Sequence, residues 1–200
     1  MTGDRQLVRN AVAAYFGGAL VTTDAGVAYQ GGPLAGYGLG TSYPYAPKGV
    51  PDQYYFEGRG AGAGWGAVMG ITRSRKLTSR KRGGGMGGPA SGYRNRFYAI
   101  VCTFVVISQE PHLETAEAGL DDLLDQAEAL IYASRNLNTI NAGLYPNPPY
   151  AGNRLIWQAG EDPPGIETDP LPFAPDPGAE RGRYIGAGTL SFEAVTTIAA

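Results

Sequence analysis

Two rhythms of apolar residues run along this chain, and they predict its elements. Arg96 to Ser108 is almost unbroken in apolar, β-branched and aromatic side chains. A run without strict polar alternation reads as a central strand with both faces covered. Glu110-Pro111 turns the chain, and Leu113 to Ala133 then repeats apolar residues every three or four positions. Leu113, Ala116, Leu120, Leu123, Leu124, Ala127, Leu130 and Ile131 form one stripe of an amphipathic helix. Glu114, Glu117, Asp121, Asp122, Asp125 and Glu128 fall mostly outside that stripe. A first helix is expected over Asp4 to Phe16, with Asp4 as N-cap and Gly17-Gly18 as its stop.

Shorter pieces complete the pattern. Ala19 to Thr23, Gln53 to Glu57, Trp65 to Thr72 and Leu155 to Gln158 read as strands. Tyr184 to Ile198 reads as the closing strand, with Leu190, Phe192, Ala194, Thr196 and Ile198 on one face. From Asp24 to Gly92, glycine and tyrosine dominate, which suggests a β excursion with loop tips. Glu161 to Pro177 holds six prolines and reads as an irregular loop. The expected fold class is α+β: a small, mostly antiparallel sheet flanked by an N-terminal helix and a central amphipathic helix, with long Gly/Pro/Tyr-rich loops. A single domain spans residues 1–200, with the excursion at about 24–92.

Composition narrows the chemistry. The formal net charge of −2 gives no global field that selects nucleic acid or a membrane surface. Cys102 is the one cysteine, so no internal disulfide can form, and it reads as a small buried hydrophobe. His112 is the one histidine, which leaves little material for a triad, a Cys-His pair or a His-rich metal site. No cofactor is expected. No apolar run reaches the roughly 18–20 residues that span a bilayer. Arg5 and Arg9 precede an apolar run, but Asp4 and Gly17-Gly18 spoil it as an export signal.

Two charged features remain. Arg73, Arg75, Lys76, Arg80, Lys81 and Arg82 place six positive charges in ten residues, ahead of a glycine run. They are expected to form a flexible basic loop that contacts phosphate backbone, docks on an acidic neighbour, or is simply solvated. Gly83, Gly85 and Gly88 satisfy G-x-G-x-x-G, but the glycine run matches it by chance, with no strand leading in and no helix opening from it. On the acidic helix, Glu117, Asp121 and Asp125 are neighbours at four-residue spacing. That face reads as a solvated surface, as a surface that repels DNA along a conduit, or, least favoured, as a metal site.

The stretch "RFYAIVCTFVVISQEPHLETAEAGLDDLLDQAEALIYA", the closing "RYIGAGTLSFEAVTTI" and the order of elements resemble the tail terminator proteins of long, noncontractile-tailed bacteriophages. The resemblance implies an α+β subunit of a hexameric ring that caps the tail tube and joins it to the head-neck. It implies a homo-oligomer, with the tail tube protein and the head-neck or stopper protein as further partners, DNA only in passage, no membrane and no catalysis. The location it implies is the virion, at the tail–neck junction, after assembly in the host cytoplasm. In that setting Glu114, Glu117, Asp121, Asp122, Asp125 and Glu128 are candidates for the lumen or an interface. Arg73, Arg75, Lys76, Arg80, Lys81 and Arg82 are candidates for phosphate or protein docking. Other readings are another head–tail connector subunit, such as a stopper or adaptor, or a nucleic-acid-binding module acting through residues 73–82.

Overall fold

The computed structural model describes residues 4–23, 26–47, 67–81, 93–108, 113–133, 155–158, 166–175 and 184–199. Helix α1 (Asp4–Gly17) leads into a hairpin of β1 (Gly18–Thr23) and β2 (Gly26–Gly31). A short 3-10 turn (Ala35–Tyr37) precedes β3 (Leu39–Tyr43). The long strands β4 (Ala67–Lys81) and β5 (Tyr93–Ser108) follow, then helix α2 (Leu113–Ala133). The remaining strands are β6 (Leu155–Gln158), β7 (Glu167–Pro175) and β8 (Tyr184–Ala199).

All eight strands form one sheet, in the order β1-β2-β3-β4-β5-β8-β6, with β7 also paired to β8. Every pairing is antiparallel except β3 with β4. The α+β class and the two flanking helices are therefore as expected. The spine is β5 against β8, in unbroken register from Tyr93↔Ala199 to Ser108↔Tyr184. Since β5 takes one edge of β8, β7 and β6 must share the other, and they lie end to end along it.

Strand alternation separates the two faces of β5. Tyr98, Ile100, Cys102, Phe104 and Val106 are buried, while Phe97, Ala99, Val101, Thr103, Val105 and Ile107 are only half-buried. β5 is thus central, as its composition suggested, but one of its faces is covered far better than the other. Both helices pack on the buried face and join its side chains in one apolar cluster. From α1 come Val8, Ala11, Val12 and Phe16; from α2 come Ala116, Leu120, Leu123, Leu124, Ala127 and Ile131. Phe16 meets Phe104 edge-on, with ring centroids 6.1 Å apart. Such a pair contributes about 0.5–1.5 kcal/mol beyond its burial.

Glycine sets two close approaches. Gly18 follows α1 at φ +90°, and a Cβ there would lie 2.5 Å from the Gly32 nitrogen, so the helix-to-hairpin turn admits no side chain. On β8, Gly186 lies under the Phe173 ring of β7, and Gly188 lies under Leu120 and Leu124 of α2.

Two expectations are corrected. Residues Arg73 to Lys81 are not a loop: they continue β4 and pair with β5 from Arg73↔Val101 to Lys81↔Arg94. Pairing to a long apolar strand supplies the backbone partners that the charged sequence gave no hint of. Similarly, the proline-rich Glu161–Pro177 stretch contains β7, and its prolines suit an edge strand. β2 and β3 lie in the glycine-rich excursion and were not anticipated. Arg82, the Gln53–Glu57 strand, His112 and the 83–88 glycine run lie outside the described residues.

Candidate interaction site

The site candidates are built from two poles of charge. α2 buries its apolar stripe on β8 and β7, which forces its acidic residues outward. Glu114, Glu117, Asp121, Asp122 and Asp125 are exposed and Glu128 is half-buried. Glu117 and Asp121 border a notch of about 260 Å³ whose floor is apolar, made by Leu120 together with Pro170, Leu171 and Phe173 of β7. Glu167 and Asp169 of β7 are also exposed. Among the described residues no group of His, Cys, Asp or Glu is arranged to hold a metal ion.

The basic pole lies on α1 and β4. Pro44 ends β3, because a proline at the next position has no N–H to continue the ladder. The β3–β4 pairing stops at Tyr43↔Ile71, yet β4 runs on to Lys81. Among the described residues, that leaves the β3-side edge of β4 uncovered from Thr72 onward. A groove of about 530 Å³ opens there, lined by Arg9, Ala46, Thr72, Arg73, Ser74 and the half-buried Ala99 and Val101.

Local contacts fix the groove's polar groups. The Arg9 guanidinium lies over the Tyr45 ring, 4.6 Å from its centroid, and that cation–π contact holds it in place. Its Nε is buried and finds no hydrogen-bond partner among the described residues. Ser74 Oγ donates to the Arg5 carbonyl oxygen at 3.1 Å, tying the start of α1 to β4. Arg73 is exposed at the groove's rim. The other basic residues expected to act together, Arg75, Lys76, Arg80 and Lys81, share the strand with it; their side chains lie outside the described set, as does Arg82.

Sequence reasoning found Arg73 and the acidic row but missed Arg9, Tyr45 and Ser74. Arg9 reads as an ordinary polar residue of an amphipathic helix, and only the fold brings it beside β4. Cys102, on the buried face, is close to Thr72, with Thr72 Oγ1 and Cys102 Sγ 3.9 Å apart. Burial pushes the thiol up to about 12, opposed by the weaker Thr72 contact. It is therefore a core residue with almost no thiolate at neutral pH.

Taken together, the described side chains separate by sign: Arg5, Arg9 and Arg73 lie on α1 and β4, while the carboxylates lie on α2, β7 and β8. Such an arrangement suits binding between complementary surfaces better than chemistry at one point. No family model, no curated protein and no solved structure matches this chain.

Proposed function

We propose that this chain is a structural virion protein of the tail terminator type. It assembles as a ring, of about six copies with one kind of contact repeated round the axis. The ring caps the tube of a long noncontractile tail and joins it to the head-neck, while DNA passes through without being read. The observation that carries this reading is the two-layer build of the subunit. Both helices cover one face of the sheet, while the other carries only a small second cluster, Ala28 and Tyr43 with Val105 packed on it, beside the half-buried Val101 and Ile107. A subunit with one sheet face less well covered than the other and with opposed charged flanks suits side-by-side packing. The order of elements, from α1 through the β5–α2 pair to β8, is that of the resemblance drawn from the sequence.

The placement of Arg73 to Lys81 in a paired strand favours docking on protein over a free phosphate-binding loop. Sedimentation with purified tail tubes tests the reading. The chain should pellet with the tubes and saturate at a small, fixed amount per tube, because only the ends bind. A chain that stays monomeric and remains in the supernatant contradicts it.

A further inference from the structure

We propose that neighbouring copies join head to tail through the two charged poles, with the Arg9–Arg73 groove of one copy receiving the acidic row of α2 from the next. This inference rests on the ring reading and names the contact that closes it. Three observations carry it. The groove is a built recess with two guanidinium groups, one rigidly stacked on Tyr45 and one exposed at its rim. Among the described residues Arg9 Nε has no acceptor, and a carboxylate is the group that pairs best with such a guanidinium. The complementary surface is on the same chain: Glu117 and Asp121 border an apolar notch that suits the stem and head of an arginine such as Arg73.

The occupant is a second copy because charge complementarity is internal to the chain. The basic pole lies on the α1–β4 side of the sheet and the acidic pole on the α2–β7 side. A contact between unlike patches is heterologous, so each copy keeps one free pole until the ring closes. A two-fold contact centred on either pole alone would instead place like charges opposite each other, which is unfavourable.

Mixing two charge variants of the full chain tests this. Arg73→Glu spoils the groove, and the double substitution Glu117→Lys with Asp121→Lys spoils the acidic row. All three positions are exposed, and Arg73→Gln serves as a milder second variant should the reversal disturb β4. Assembly of wild type and variants is read by light scattering, at low and high salt and on tail tubes. Each variant alone should weaken assembly by roughly tenfold or more. The mixture should recover assembly, because the intact groove and row and the doubly reversed groove and row each bring opposite charges together. Wild-type-like assembly of both variants overturns the interface while leaving the ring reading in place. Weakened variants that fail to pair on mixing also overturn it. A wild type that never assembles, in solution or on tubes, overturns the ring reading itself, and the interface with it.

Discussion

The Tyr15 hydroxyl donates a 2.6 Å hydrogen bond to the main-chain carbonyl oxygen of Leu130. That carbonyl lies in the last turn of α2. The bond therefore ties the end of α2 to a side chain of α1 and helps to hold the two helices on one sheet face. Tyr15→Phe removes the hydroxyl and leaves the ring. It should cost about 0.5–1.5 kcal/mol, with an unchanged denaturant slope in urea unfolding. For a chain of this length that is a fall in Tm of a few degrees, about 2–4 °C per kcal/mol.

Gly186 and Gly188 should differ in their tolerance of a side chain. A Cβ at Gly186 would meet the Phe173 ring at 2.7 Å, and one at Gly188 would meet Leu124 Cδ1 at 2.9 Å. Gly186→Ala must displace the Phe173 ring, while at Gly188 the flexible ends of Leu124 and Leu120 can turn aside. Gly186→Ala should destabilise by about 1–3 kcal/mol in chemical denaturation, and Gly188→Ala by less. Combining Gly186→Ala with Phe173→Leu should recover part of the loss, because the smaller side chain vacates the ring's place.

Cys102 predicts a pH dependence with a definite sign. In the fold its thiol is held up at about 12, while the unfolded chain has the ordinary value of 9.0. Below pH 9 both states keep the proton, and this group's contribution is fully present. As pH rises from about 9 towards 12, only the unfolded chain loses the proton, so stability falls. Cys102→Ala should flatten that part of the stability curve. At pH 8 a disulfide reagent should leave the native thiol untouched and titrate one thiol per chain after guanidinium unfolding.

The strand assignment of Arg73 to Lys81 makes a prediction that a loop would not. Amide hydrogen exchange should show protection there at the positions bonded to β5, continuous with Ala67 to Thr72. Uniformly fast exchange from Arg73 onward would mean that β4 ends near Thr72.

These cases show what the sequence could carry. Helix α2 was legible to its ends, Leu113 and Ala133, because its stripe repeats over many turns and local spacing encodes it. β5 and β8 were legible from β-branched and aromatic content. The first half of β4 was legible within the expected Trp65–Thr72 strand, but its second half is held by pairing to residues far along the chain, which local composition does not report. β7 was hidden by its prolines, which mark a loop in isolation but an edge strand beside β8. The acidic row was visible as a helix face. The groove was not, since Arg9 and Arg73 meet only after α1 packs beside β4.

Electron microscopy of tail tube ends most directly tests the central claim, that this chain caps a tube as a ring. Tubes incubated with the chain should carry a disc of extra density at one end, with rotational symmetry matching that of the tube. They should stop lengthening when more tube protein is added. Tubes that remain bare at both ends, or that carry the chain along their sides while continuing to grow, would contradict the account.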